Sequence, residues 1–326
     1  MRARFYCTLF DSNYLYKGLV MLRSLGRHCP GAQIYVLCLD IEAAQVLRAL
    51  NLPGVQTMDL VEVETEEVLL AKSGRSIAEY CWTLASVLSS HVMDANAAID
   101  LITYLDADLM FFADVEPIFS ELADASVLAI EHRYPARLSH LERYGRFNVQ
   151  WVSFRRDAIG LRCLKSWRAQ CLEWCFARLE DGRHGDQKYL DAWPVEYGAA
   201  FHSLQHLGAG VAPWNFQNHP LRLQQGRFMV GDVPLIFYHF HQFQILSRGR
   251  FSYFSTGYGE DTSSLESLYR FYRREIDVSM RSVDAVNPHF SGGIKSAGVV
   301  ALRRTASRFL SPGTKSLLKR LGLRTW

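Results

Sequence analysis

The 326-residue chain predicts an α/β fold, a largely parallel sheet covered by helices on both faces, and three observations predict it. Short, almost continuously apolar runs alternate with longer segments of helical periodicity from the start of the chain. The apolar runs have no polar face of their own, as expected of strands buried on both sides. No internal repeat or low-complexity linker interrupts this order before about residue 260. Residues 1–260 therefore read as one α/β domain, and residues 261–326 as a helical C-terminal extension with a basic tail.

The elements follow in order. RFYCTLF is the first buried strand, and NYLYKGLVMLRSLGRHC a helix with Leu15, Leu19, Leu22 and Leu25 along one side. PGAQIYVLCLD supplies a turn and a second strand. IEAAQVLRALNLPG is a helix stopped by Pro53–Gly54, and VQTMDL a short third strand. SIAEYCWTLASVLSSHVM is a longer helix leading into a strand that ends at Asp106. Asp114 to Pro117 open the next helix, since proline is tolerated in a first turn. SVLAIE and VQWVSF are further strands.

Composition excludes several classes. A hydrophobic content of 49% is ample for a core, yet no run of about 18 apolar residues is present to span a bilayer. The first residues show no signal-peptide pattern. The seven cysteines are odd in number and sit among apolar neighbours, which fits reduced thiols and a cytoplasmic location. Cys171 and Cys175 could suggest a metal pair. With Cys163, Trp167 and Trp174, however, they repeat at helical spacing and read as one apolar helix face. The net charge of +3 is small, but eight Lys or Arg residues and no acid follow Asp284.

The segment ITYLDADLMFF carries the chemistry. In open α/β sheets ligands bind outside the carboxyl ends of strands, and Asp106 and Asp108 lie at such an end. Strand-like alternation would point both carboxylates to one side. Paired anions repel unless a cation sits between them, and oxygen-liganded Mg²⁺ or Mn²⁺ suits such a pair. A bare Asp-x-Asp also occurs as solvated acids in a turn; the flanking strand favours the ion site.

CTLFDSNYLYKGL, YLDADLMFF, FNVQWVSFRRD, GDQKYLDAWP and FYHFHQF, in this order across residues 4–245, resemble GT-A glycosyltransferases. The resemblance is to the retaining, family-eight type that includes glycogenin and bacterial lipopolysaccharide galactosyl- and glucosyltransferases. It implies a Rossmann-like catalytic domain, a UDP-hexose donor, Mn²⁺ or Mg²⁺, and a glycan or lipid-linked acceptor in surface polysaccharide synthesis. It assigns Asp106, Asp108 and His239 to the metal, with His241 as competitor, and Asp186 and Gln187 to catalysis beside the donor sugar. Thr8, Asp11, Asn13, Arg75, Ala107, Asn148 and Arg248 are the implied donor-binding residues. The departures are also specific. Gln150 stands where the family has glycine, and Lys188 where it has an acid. The run of Gly and Lys-Pro-Trp after the metal histidine is missing, leaving Arg248 nearest. No arginine lies in the helix before the Asp-x-Asp strand, where Lys72 or Arg75 would have to compensate.

Chemistry agrees with the assignment. A diphosphate leaving group needs its growing charge neutralised, which a bridging metal does without proton transfer. Mn²⁺ accepts an imidazole nitrogen more readily than Mg²⁺ does. Asp186 also reads as a helix N-cap. Trp214 and Asn215 offer a sugar an aromatic face and an amide, or else pin a loop to the core. His132 and Arg133, after a strand, have the same two readings, facing an acceptor or holding structure. A dehalogenase-like phosphohydrolase also begins from Asp-x-Asp, but needs a hydroxyl residue where Met110 stands. A non-catalytic nucleotide-sugar-binding protein is the remaining alternative. In the tail, Val299, Leu302, Ala306, Phe309 and Leu310, then Leu317, Leu318 and Leu321, recur at helical spacing among the basic residues. This predicts basic amphipathic helices lying on an anionic membrane surface, at the inner face, with no nucleic-acid partner.

Overall fold

The structure, a computed structural model, describes residues 3–253, 258 and 263–295. The basic tail that the sequence predicts to lie on a membrane surface is outside the described residues from 296 onward.

The chain opens with β1 (Phe5–Phe10), α1 (Leu15–His28) and β2 (Gln33–Cys38). Leu15, Leu19, Leu22 and Leu25 are all buried, as the periodicity requires. Next come α2 (Ile41–Leu50) and β3 (Val55–Asp59). Asp40 caps α2 by accepting from the Ala43 backbone N–H, and left-handed Asn51 ends it just before Pro53. Helix α3 (Glu66–Ser73) leads to α4 (Ile77–Ala95), whose start is a reciprocal capping box between Ser76 and Glu79. Strands β4 (Leu101–Leu105) and β5 (Leu109–Phe111) flank the Asp-x-Asp turn. Then follow α5 (Glu116–Leu122), with Pro117 in its first turn, β6 (Val127–Glu131), β7 (Phe147–Arg155) and α6 (Ala158–Glu173). The remainder comprises α7 (Trp193–Tyr197), β8 (Phe201–Ser203), β9 (Leu221–Gln224), β10 (Arg227–Val230) and β11 (Val233–Pro234). It ends with β12 (Phe237–His239), β13 (Gln244–Ser247), β14 (Arg250–Ser252) and α8 (Glu266–Val286).

Seven strands form the main sheet in the order β3-β2-β1-β4-β7-β6-β8. Pairs β3–β2, β2–β1 and β1–β4 are parallel, as expected, and so is β6–β8. Strand β7 runs antiparallel to both neighbours, so the sheet is mixed. Helices α1, α2 and α8 share one hydrophobic core, while α4 and α6 share the other with the opposite sheet face. Cys163, Cys171 and Cys175 are buried free thiols, in keeping with a core role.

Three chain segments meet at one edge of this sheet. The carboxyl ends of β1 and β4 lead into Asp11 and Asp106, and antiparallel β7 brings its early residues, Asn148 and Gln150, to the same edge. The backbone N–H of Asp106 donates to the Gln150 carbonyl at 3.2 Å, which ties the acid turn to β7.

Candidate active site

Asp106 and Asp108 are positioned by a turn, not by strand alternation: β4 stops at Leu105 and β5 starts at Leu109. Ala107 between them buries its side chain in the core. Strand β5 leaves the main sheet and pairs antiparallel with β12 in the register His239↔Leu109. The Phe240 N–H then donates to the Asp108 carbonyl at 2.8 Å, which fixes the corner. As a result His239 Nε2 lies 2.9 Å from Asp108 Oδ1 and 3.9 Å from Asp106 Oδ2.

One ligand atom from each of these three residues lies within 4.8 Å of the others, the one such cluster among the described residues. Two carboxylate oxygens and an imidazole nitrogen are a donor set that fits a divalent cation. Asp108 and His239 are buried, whereas the Asp106 side chain is 31% exposed and so opens the cluster to a ligand. Burial, together with the neighbouring Asp108 charge, raises Asp106 above the usual carboxylate range. Burial acts the same way on Asp108, but the charge and hydrogen bond of His239, with help from Lys17, hold it far below that range. His241 is pushed down to about 4 by burial and by the His239 charge, and its ring packs on Trp214. Of the two histidines, His239 is the one the fold aims at both acids.

The loop after β1 is held by its own side chains. Asp11 accepts from the Asn13 amide at 2.9 Å and from the Tyr14 N–H at 3.1 Å, while the Ser12 N–H donates to Asp40 at 2.8 Å. Asn13 and Tyr14 are exposed on this loop. Thr8 is fully buried, and its hydroxyl has no hydrogen-bond partner among the described residues.

On the other side, Asn148 donates to His132 Nε2 at 3.0 Å and accepts from the Gln150 N–H at 2.9 Å. His132 Nδ1 lies 3.2 Å from the Arg146 carbonyl, so an Nδ1–H tautomer satisfies both contacts. Burial pushes His132 down to about 3, which keeps it neutral. Gln150 is fully buried, and its side-chain amide atoms lack a partner among the described residues.

Asp186 is buried and occupies the N-cap position of the 3₁₀ turn Gln187–Ala192, as the sequence suggests, but its side chain makes no capping hydrogen bond. Burial and the Asp106 charge raise it to about 8. The Trp167 indole donates to its carbonyl at 3.0 Å and anchors it to α6. Gln187 donates to the Tyr144 carbonyl at 2.9 Å, and Lys188 turns away to pair with Asp191 at 2.7 Å.

Several expected contacts go elsewhere. Arg75 is held by Thr83 and by the Leu172 carbonyl at 2.6 Å, joining α4 to α6. Lys72 pairs with Glu64 at 2.6 Å, and Arg248 with Asp284 at 2.6 Å on the surface. Arg133 donates to the carbonyls of Leu204, His206 and Ala209, and Asn215 bonds the backbone of Ala212, His132 and Gly210. Both therefore hold loops together. Trp214 is buried edge-on to His239, supporting the cluster from behind. Lys17 was missed in the sequence. Its side chain is buried in the first turn of α1 and its charge acts on Asp108. The available signal was a lone cation in LYKGLVML, directly after a strand's carboxyl end.

No protein-family model matches the chain. Two curated relatives from Bacillus subtilis (strain 168) are each 31% identical: the uncharacterized protein YfnD over 291 residues, 88% of this chain and 93% of YfnD, and the uncharacterized protein YfnF over 295 residues, 88% and 96%. Among solved structures, an active-site mutant of LgtC aligns with TM-score 0.51 at 14% identity, covering 84% of this chain and 95% of LgtC. The glycosyltransferase GlyE of Streptococcus pneumoniae TIGR4 aligns with TM-score 0.50 at 16% identity, covering 87% of this chain and 64% of GlyE. The mixed seven-stranded sheet, the acid turn after its fourth strand and these alignments agree on one architecture. The chain belongs to the family of YfnD and YfnF and has the GT-A fold of glycosyltransferases.

Proposed function

We propose that this protein is a metal-dependent glycosyltransferase that moves a hexose from a UDP-sugar to a glycan or lipid-linked acceptor, with retention of anomeric configuration. The observation that carries the reading is the Asp106–Asp108–His239 cluster at the carboxyl edge of a GT-A sheet. Mn²⁺ or Mg²⁺ held by these three residues would neutralise the diphosphate as it departs. Asp11 and Asn13, already fixed as a turn, hold the base and ribose. Asn148, whose amide is held by His132, contacts the donor sugar in this reading. Asp186, raised by burial and by the Asp106 charge in the metal-free protein, would offer a hydrogen bond to a sugar hydroxyl rather than act as a base. No strong base is then required opposite the sugar, which supports retention, with the leaving phosphate taking the acceptor's proton.

The acceptor side is read from charge. Eight basic residues in the C-terminal tail support peripheral binding to an anionic inner membrane face. Among the described residues no helix is long and apolar enough to cross a membrane.

The deciding experiment incubates the protein with a panel of nucleoside-diphosphate sugars and Mn²⁺ and measures free nucleoside diphosphate. Slow release from one donor, abolished by chelator, supports a transferase. Absence of binding and of release with every donor would overturn it.

A further inference from the structure

We propose that the segment after α8, residues 287–295, is a strap that sets the shape of the donor-binding loop after β1, with Gly292 and Gly293 as its positioning residues. This rests on the donor reading above, in which Asp11 and Asn13 hold base and ribose. It makes the start of the C-terminal extension part of the donor site.

The loop has some order of its own. Asn13 donates to Asp11 at 2.9 Å, and Asp40, which caps α2, accepts from the Ser12 N–H at 2.8 Å. Asn13 nevertheless stands exposed. A loop at a strand end that is tied on one flank samples several shapes, and ordering it on binding costs affinity.

The strap supplies the second flank from the far end of the chain. Helix α8 enters the same core as α1 through Tyr272, Ile276, Met280 and Val283. Beyond it Phe290 is buried and meets Tyr16 edge-on, with ring centroids 5.3 Å apart. Further on, Ile294 bridges Ile245, and the Lys295 N–H donates to the Ile245 carbonyl at 2.7 Å. The segment is pinned at both ends, and the two glycines lie between the pins.

A Cβ at Gly292 would come within 2.7 Å of the Ser12 carbonyl oxygen, and one at Gly293 within 2.8 Å of that of Asn13. These oxygens are backbone atoms, which cannot swing aside as the end of a long side chain can. Gly293 is also left-handed, with φ +74°, where a side chain is strained. Backbone thus lies on backbone across Ser12 and Asn13. Simple coverage of a helix start would be served better by apolar side chains, which bury more surface. Two glycines secure something else, a close and rotamer-free contact that fixes where Asp11 and Asn13 stand. The strap therefore acts on the nucleoside half of the donor, and the acid cluster on the diphosphate half.

The test is calorimetric titration of UDP, GDP and ADP with Mn²⁺ saturating. Gly292→Ala and Gly293→Ala are each expected to weaken the preferred nucleotide about tenfold while the other two change by less than about twofold, so that selectivity collapses. Gly26→Ala in α1, where a Cβ meets nothing within 4 Å, is the control and should keep the selectivity. Phe290→Leu keeps an apolar plug and loosens the strap, so it should erode selectivity by about threefold, and it decides the matter if the glycine variants do not fold. Native selectivity in every strap variant that folds, or an equal loss for all three nucleotides, would overturn the strap. If the native protein binds none of the three, or all three alike, the donor reading itself fails, and this inference with it.

Discussion

His239 Nε2 lies 2.9 Å from Asp108 Oδ1 because β12 runs antiparallel beside β5, and that one register joins residues far apart in the chain. Neither residue has another side-chain partner of comparable geometry in the cluster, where Asp106 lies 3.9 Å from the same nitrogen. The pair is the structural centre of the acid site.

Asp108→Asn and Asp106→Asn are each expected to cut Mn²⁺-dependent donor hydrolysis by about 100-fold or more. Asparagine keeps the shape and removes one charge. The melting temperature without metal should therefore hold or rise for Asp106→Asn, whose charge is disfavoured, and fall for Asp108→Asn, which loses its charge pairing with His239. Nucleoside-diphosphate release and circular dichroism melts check both halves. Full activity of both variants would remove the metal site from the account.

Asp186 should tie stability to pH. Its folded pKa of about 8 lies above the unfolded value, so between roughly pH 4 and pH 8 the folded state binds the extra proton. Stability is therefore expected to fall as pH rises through this window, by at most about 1.4 kcal/mol per pH unit from this group. In chelator, urea unfolding of Asp186→Asn should show a flatter pH profile than the native protein. An identical slope would contradict the assignment.

Arg133→Met should destabilise without touching chemistry. The guanidinium donates to three loop carbonyls, of Leu204 at 2.7 Å, Ala209 at 2.9 Å and His206 at 3.3 Å. Losing them is expected to cost about 2–4 kcal/mol by denaturant titration. Activity per folded molecule at low temperature should stay within about twofold, in line with a loop-holding role.

The new glycosidic bond is expected to keep the donor's anomeric configuration. Proton NMR of the product, read before mutarotation, distinguishes the two outcomes, and an inverted anomer would require a base the site has not been assigned.

Deleting residues 296–326 should release the protein from anionic vesicles at low salt while sparing donor hydrolysis. The cut is placed after Lys295 because Ile294 and Lys295 are bound to Ile245 and belong to the folded body. Roughly 1 kcal/mol per basic residue near such a surface makes the loss easy to detect by vesicle sedimentation. Equal sedimentation of the two proteins would exclude the tail as anchor.

The sequence by itself determined where strands and helices lie, because periodicity records which side chains must leave water. The runs at Phe5–Phe10 and Gln33–Cys38 and the leucine face of α1 all follow from that rule. It also placed Asp106 and Asp108 at a strand's end, since an apolar run that stops at acids has reached the sheet edge. Only the tertiary structure decided direction and partnership. Strand β7 is buried on both faces whichever way it runs, so its pattern could not show that it lies antiparallel to β4. Arg75 and Arg133 looked like ligand groups because a guanidinium is polar in any sequence; that carbonyls of the same chain take their hydrogen bonds depends on loops folding over them. Lys17 drew no notice in the sequence, because only tertiary packing buries its side chain in the first turn of α1. Burial pattern is a local property of the chain, whereas the sign and distance of a neighbouring charge are set by which distant segments share an edge.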